Sequence, residues 1–479
     1  MAFTSLTFIA FVAAVVLLFN ATKQPMVRSA VLLGANGVFI WCYIDSTIQL
    51  LPLAAFLLVS YGMIEVVRRS RSAHSLWFGL AVAITAFIYL KKFSFLDASL
   101  LLPFPYLIIG LSYVLFRVLH LMVDAKQGEL PRPVSLLDFL NYTCNFLTFV
   151  AGPIQRYQDY MRFKDQALVL DERRVFRAFA RVILGFVKVG VISAIFKYLF
   201  DSLSERVLDA VATPAWPLFC ALFVAATVCY TVYLYANFAG YMDIVIGVGE
   251  LMGMQLPENF NRPFLARSFL DFWSRWHMTL SDWFKTYVFN PLLTVLATRF
   301  TSPKAGPYLG VVAFFVTFLI MGVWHGTTSV FVVYGLLMGA GASINKLWQV
   351  MITKRLGKKA YKALAEKTTS IYFSRGLTLA YFALALTCLW VDMPQLLALR
   401  KHLGVVGGLA SYLGLAVLTG LVFYVWDVLL AYMAPLRTQV AQACSGVLAR
   451  NLVLALQILL IATVASFFHK APEFVYRAF

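Results

Sequence analysis

The sequence predicts an all-α, many-helix membrane protein, and three observations carry that reading. Of 479 residues, 61% are hydrophobic and 13% charged; the mean hydropathy is +0.80; and long apolar runs recur from one end to the other. A chain of this balance has lipid as its main solvent. A bilayer core about 30 Å thick takes roughly 20 apolar residues per helical span. Candidate spans begin near Leu6, Val31, Leu50, Trp77, Leu107, Leu137, Val182, Trp216, Leu309, Val330, Leu377, Leu413 and Leu454. They amount to roughly 10 to 13 crossings with re-entrant or amphipathic pieces between them. No basic residue precedes the first run, Thr4 to Phe19. That run therefore reads as an anchor rather than a cleaved leader.

Lysine and arginine total 40 against 22 acidic residues, a net charge of +18. In a water-soluble chain this excess would raise the question of nucleic acid, which is not expected as a partner here. The basic residues gather in short connections (Arg68, Arg69 and Arg71; Arg173 and Arg174; Lys354, Arg355, Lys358 and Lys359). That is the pattern of a positive cytoplasmic side. Lys23 and Arg28 follow the first span and point to an external N-terminus. Six cysteines, Cys42, Cys144, Cys220, Cys229, Cys388 and Cys444, sit in apolar runs without paired spacing. They read as small packing residues, not disulfides or metal ligands.

Polar stretches at Asp124–Ser135, Gln155–Arg181, Pro257–Pro307 and Lys354–Arg375 divide the spans into blocks. No internal repeat of the transporter kind is evident, and residues 1–479 are expected to form one domain. The segment Phe264 to Phe289 is too charged to cross a bilayer and yet is periodic. Phe269, Trp273, Trp276, Leu280 and Trp283 or Phe284 recur at three- and four-residue steps, and Arg267, Asp271 and Arg275 form an i, i+4 ladder. One or two amphipathic helices follow from that spacing. A surface helix without chemistry is the plain alternative.

Six histidines occur, His74, His120, His277, His325, His402 and His469. His325 ends the apolar run Phe318–Gly326, where an imidazole is costly unless hydrogen-bonded or used. Gly322 and Gly326 beside it would let backbone or substrate approach closely. His277 lies beside Trp276 in the amphipathic segment, with Ser281 a helical turn further on. For either histidine, a hydrogen-bonded packing role is the competing reading. Among other polar residues in apolar stretches, Asn237 and Asp243 lie close together, and Asp243 would suit a basic or imidazole partner inside the bundle. His120, with Arg117 and Asp124 around it, reads as structural. Two histidines 48 residues apart, without HExxH or a Cys/His cluster, make no zinc pattern. GxSxG, P-loop and GxGxxG signatures are missing too.

Several ordered blocks resemble the membrane-bound O-acyltransferase family, in the branch of alginate O-acetyltransferases and teichoic-acid D-alanyl transferases. They are Ile109–Tyr113 leading to Met122–Asp124, Ala151–Tyr157, Phe238–Asp243, Leu256–Phe264 running into Asp271–Ser281, and Met321–Gly326. The family core would occupy about residues 107–345. The resemblance implies a ring of helices around a central cavity, with the catalytic histidine at His325 and the second polar position at His277. His325 would act as general base, while His277, with indole or backbone donors nearby, would orient the acyl group or stabilise the oxyanion. Trp324, Trp276, Arg275, Ser281, Asp243 and Asn237 would line the substrate path. No bound cofactor is implied. The donor would be acyl-CoA or an acyl carrier protein with its phosphopantetheine thioester, and the acceptor an extracytoplasmic glycan or a separate relay partner. The place would be the inner, or cytoplasmic, membrane, crossed many times. After the histidine block the alginate-type Pro-Leu-Gly-Gly-Asn turn is replaced by Tyr287–Thr294, closer to the D-alanyl type, and Asn237 stands where an Asp is usual. Acetyl is the expected acyl group, with D-alanyl the alternative. A proton-relaying transporter or flippase, or a silent export scaffold, are the readings from other classes; the first would require repeats and matched broken spans.

Overall fold

The computed structural model describes residues 5–165, 171–210, 216–443, 446–468 and 472. Cys444, His469 and residues 166–170 of the Gln155–Arg181 interruption lie outside the described residues. Every regular element among the described residues is helical. In chain order they are α1 (Leu6–Asn20), α2 (Pro25–Trp41), α3 (Leu51–Arg69), α4 (His74–Lys91), α5 (Leu111–Gln127), α6 (Leu136–Thr143), α7 (Tyr157–Asp165), α8 (Glu172–Val187), α9 (Ala194–Ala210) and α10 (Trp216–Leu251). There follow α11 (Phe269–Trp273), α12 (Met278–Phe284), α13 (Asn290–Arg299), α14 (Gly306–His325), α15 (Val330–Leu356), α16 (Lys358–Ala365), α17 (Thr368–Ala385), α18 (Met393–Tyr432), α19 (Ala434–Ala443) and α20 (Val447–Phe468). Among the described residues nine helices, counting joined ones once, are long and apolar enough to cross a bilayer, and α1 and α2 are shorter apolar helices. The chain is a multi-pass α-helical membrane protein.

The chain groups into two compact units, residues 1–186 with 238–258, and residues 187–237 with 259–472. In the first unit α3, α4 and α5 pack together. Besides those beginning near Leu6 and Val31, which are the shorter α1 and α2, two expected spans are absent from the set of nine, and charge and hydrogen bonding explain both. The run from Leu107 becomes helical only after Gly110, whose left-handed backbone (φ +81°) presses against Phe149, so that a Cβ would lie 2.6 Å from that ring. The resulting α5 buries Arg117, His120 and Asp124 within the unit. The run from Leu137 stops after the eight residues of α6 and turns back through irregular chain to Arg156. A chain broken in apolar surroundings must satisfy its exposed carbonyls inside the protein. Arg117 does so, donating to the carbonyls of Tyr142, Thr143 and Thr148 at 3.1, 2.7 and 2.7 Å. On the other side of the turn, the Asn36 amide oxygen accepts from the Phe146 N–H at 2.8 Å. His120 Nε2 accepts from the Tyr157 N–H at 3.0 Å, in keeping with the structural role expected of it.

In the second unit α14 and α15 form an antiparallel pair closed by glycines. A Cβ at Gly322 would come within 2.1 Å of the Gly335 Cα, so the two backbones touch there. Small residues at such a seam let dispersion and weak hydrogen bonds act over short distances in lipid. α17 and α18 meet in the same way, at Gly376 against the Ala416 carbonyl. α18 starts with a capping box, in which the Asp392 carboxylate accepts from the Gln395 N–H and the Gln395 side chain accepts from the Asp392 N–H. It bends at Gly404 (φ +60°), so the run expected to begin near Leu413 is the second half of a longer helix.

Candidate active site

His325 is the last residue of α14, the 20-residue helix Gly306–His325. Its side chain is 4% exposed, and Nδ1 lies 3.0 Å from the Met321 carbonyl one turn back. A carbonyl only accepts, so Nδ1 carries the hydrogen and donates it, and Nε2 is the basic nitrogen. The Trp324 ring stands edge-on to the imidazole at 5.0 Å, and Tyr334 of α15 packs on it at 5.5 Å. The neighbouring glycines serve backbone approach: Gly322 meets Gly335, and Gly326 faces the Phe331 ring.

The amphipathic segment does not form one continuous helix. It breaks at His277 between α11 and α12, and His277 adopts a left-handed backbone (φ 45°, ψ 51°). For a residue with a Cβ that conformation costs on the order of 1–2 kcal/mol, so neighbours must impose it. The strand of chain at residues 259–261 does this. The Asn261 N–H donates to the Arg275 carbonyl at 2.8 Å, and the Met278 N–H donates to the Asn259 carbonyl at 2.9 Å. The Asn259 side chain completes the clamp: its Oδ1 accepts from the Thr279 N–H at 3.2 Å and from the Thr279 hydroxyl at 2.8 Å.

That clamp also sets the state of His277, whose Nδ1 lies 3.2 Å from the same Asn259 Oδ1. A backbone N–H can only donate, so the atom facing Thr279 is the amide oxygen; His277 Nδ1 therefore donates, and Nε2 carries the lone pair. His277 is fully buried, outside the spanning helices. Burial holds its pKa well below the ordinary imidazole range, and the His325 imidazole adds to the effect. The two rings thus share one electrostatic neighbourhood.

The remaining expected residues fall into three settings. Trp276 is packed in an aromatic cluster, against Phe382 at 5.0 Å, Phe260 at 5.1 Å and Phe272 at 5.5 Å. Arg275 donates through Nε to the Asp271 carboxylate at 2.8 Å, as the ladder spacing anticipates, and the Ser281 hydroxyl makes a long contact, 3.4 Å, with the Trp276 carbonyl. Asn237 is fully buried on α10, donating to the Ser193 hydroxyl at 3.3 Å across from a π-helical turn, Lys188–Ser193. Asp243 belongs to the first unit, where its basic partner is Arg181 at 3.1 Å; Arg181 also forms a bidentate pair with Glu258 at 2.6 and 2.7 Å. Among the described residues no three His, Cys, Asp or Glu side chains gather as a metal site.

Sequence reasoning missed Asn259, Thr279 and Tyr334. Asn259 stands inside the Leu256–Phe264 block, but its role depends on a turn 18 residues later that no periodicity reports. Its Nδ2 is buried and makes no hydrogen bond among the described residues, a donor left over beside His277.

The family model described as MBOAT, membrane-bound O-acyltransferase family, matches residues 38–374, well over half of the chain. A teichoic acid D-alanyltransferase of Streptococcus thermophilus is 32% identical over 268 residues, covering 54% of this chain and 62% of the relative. A teichoic acid D-alanyltransferase of Bacillus subtilis is 32% identical over 231 residues, covering 48% of this chain and 56% of the relative. A probable alginate O-acetylase of Pseudomonas aeruginosa is 28% identical over 263 residues, covering 55% and 46%. The matches span less than two thirds of each of these relatives.

Proposed function

The chain belongs to the membrane-bound O-acyltransferase family, and on that premise we propose that it is an O-acyltransferase of the cytoplasmic membrane with His325 as general base. The observation that carries this reading is the pair of buried imidazoles, each with Nδ1–H committed to a fixed acceptor so that Nε2 is the basic nitrogen. In the proposed reaction Nε2 of His325 takes the proton of an acceptor hydroxyl as its oxygen attacks a thioester carbonyl. The C–O bond forms, the C–S bond breaks, and the imidazolium returns the proton to the leaving thiolate. General-base assistance of this kind is worth roughly 10²- to 10⁴-fold.

Of the two roles considered for His277, its hydrogen bonding supports orientation over oxyanion stabilisation. A neutral ring whose Nδ1–H is spent on Asn259 is an acceptor at Nε2, the polarity that suits a hydroxyl or amide N–H rather than an oxyanion. The donor is a cytoplasmic thioester, acyl-CoA or an acyl carrier protein, and the acceptor is an extracytoplasmic glycan hydroxyl or a partner protein that relays the group. The acyl group we propose is acetyl. D-alanyl transfer is the second reading, favoured by the 32% identity to two teichoic acid D-alanyltransferases.

Both readings are tested by placing wild-type protein and His325→Ala in nanodiscs with labelled acetyl-CoA, or with a labelled D-alanyl carrier protein, and following thioester loss in the presence of candidate acceptors. Histidine-dependent turnover of one donor establishes the acyl group. Turnover that survives His325→Ala would sink the mechanism.

A further inference from the structure

We propose that Lys91, Lys92, Tyr106 and Ser112, in the first unit, form a binding site for an anionic oxygen group, a carboxylate or a phosphate, on the membrane face opposite the Arg68, Arg69 and Arg71 cluster.

The placement follows from the helices. α3 runs toward Arg69 and α4 returns from His74 to Lys91, so the lysines end the hairpin at the face where α3 begins. At the other face Lys126, near the end of α5, donates to the carbonyls of Ser70 and Ser72 at 2.8 and 2.7 Å. The start of α5, with Ser112, is therefore on the lysine side. The connection to it is tied there as well, by the Tyr89 hydroxyl donating to the Leu100 carbonyl at 3.0 Å and the Leu107 N–H donating to the Gln49 carbonyl at 3.1 Å. The positive-inside rule assigns the arginine face to the cytoplasm. Two adjacent lysines on the opposite face then call for a physical reason.

Their surroundings supply one. Lys91 is 7% exposed, and its one hydrogen-bond partner among the described residues is a neutral hydroxyl, Ser112 Oγ, at 3.3 Å. A buried ammonium without a counter-charge is unfavourable. The start of α5 deepens the deficit, since a helix N-terminus is itself a positive end and Gly110 brings no side chain to cap it. Lys92, in a left-handed backbone at the end of α4, holds its ammonium 4.3 Å over the Tyr106 ring. Tyr106 is 8% exposed and its hydroxyl is buried without a hydrogen-bond partner. The connection's one carboxylate, Asp97, is spent on its own turn through the Ser99 N–H at 2.9 Å. Two ammoniums and two hydroxyls near the positive end of α5 are a donor-rich set short of acceptors, and an oxyanion supplies both the charge and the lone pairs. The anion has two possible sources, the headgroup of an anionic lipid or an acidic group arriving from the aqueous side.

The test places the full chain in nanodiscs of phosphatidylcholine and follows hydrogen–deuterium exchange in peptides covering 106–116. Inorganic phosphate, or acetate, is added against sodium chloride at matched ionic strength, and a parallel sample contains phosphatidylglycerol. We expect several-fold slower exchange at the start of α5 with an anion, lost in Lys91→Met and weakened in Lys92→Met. Slowing by soluble anions in phosphatidylcholine identifies an aqueous group as the ligand; slowing only with phosphatidylglycerol identifies a headgroup. Should Lys91→Met fail to fold, Lys92→Met and Tyr106→Phe carry the same comparison. No slowing with any anion, or slowing of equal size in the variants, overturns the site. Because the readout does not involve acyl transfer, its outcome is independent of the catalytic proposal.

Discussion

His325 and His277 have the same tautomer, but they are held by opposite means. His325 is positioned by its own helix: the Met321 carbonyl one turn back fixes the ring, and the continuous apolar α14 fixes the helix. His277 sits where a helix has been broken, on a left-handed residue, and a separate stretch of chain supplies the hydrogen bonds that clamp the break. The first arrangement is local and unstrained. The second stores backbone strain that Asn259 and its neighbours offset, which makes His277 the more sensitive of the two to changes that never touch the ring.

The largest effect should come from the locally held residue. His325→Ala is expected to lower acyl transfer by roughly 10²- to 10⁴-fold with the protein still folded, measured as donor turnover alongside a thermal melt. His277→Ala should cost about 10²-fold through misplaced substrate. Because the backbone there is left-handed, His277→Gly should be equally inactive yet more stable than His277→Ala by about 1 kcal/mol. Equal melting temperatures for the two variants would remove the claim of strain.

Asn259→Ala, which deletes the clamp but keeps both imidazoles, should reduce turnover by about tenfold, in proportion to a lost buried hydrogen-bond set of roughly 1–2 kcal/mol. Asn259→Asp keeps the acceptor and adds a carboxylate, which favours the charged imidazole of His277. The acid limb of its pH–rate profile should then move to higher pH than in wild type, and an unmoved limb would mean that the contact does not govern His277 protonation.

The burial of the same ring predicts a pH dependence of stability. The folded pKa of His277 is depressed, so the unfolded chain binds the extra proton; its contribution is complete above about pH 6.5 and is lost as pH falls from there toward the folded value. Melting temperatures at about pH 7.5 and about pH 5.5 should differ more in wild type than in His277→Gln. The smallest effect is expected at Ser281, whose hydroxyl makes only the 3.4 Å contact among the described residues; Ser281→Ala should stay within about twofold of wild-type activity.

The same local-versus-distant contrast decides how much could be read in the sequence. Long apolar runs carry their own signal, and nine spans with two shorter apolar helices account for most of the expected crossings. The runs from Leu107 and Leu137 misled because hydropathy counts side chains one by one. It does not register that Arg117 satisfies the carbonyls of a turn some 25 residues away. In the segment 264–289 the aromatic period correctly marks the buried side, Phe269, Trp273 and Trp276, but nothing in the period marks the break at His277. The i, i+4 pair of Asp271 and Arg275 was legible. Asn259 was not, since its partners are set by a turn rather than by spacing. Asp243 shows the converse: its need for a basic partner could be read, but not that the partner would be Arg181 in the first unit.

The contact of Gly322 with Gly335 reaches beyond packing. Two helices that touch backbone to backbone and are joined by a short connection at residues 326–329 cannot slide or splay easily, and they behave as a single strut. A bilayer that thickens or thins is met by helix tilt. When a strut tilts, the points near its ends change height the most, and His325 stands at one end. The height of His325 relative to the bilayer midplane would then follow the tilt of the pair, a mechanical route from lipid chain length to the imidazole without any lipid being recognised.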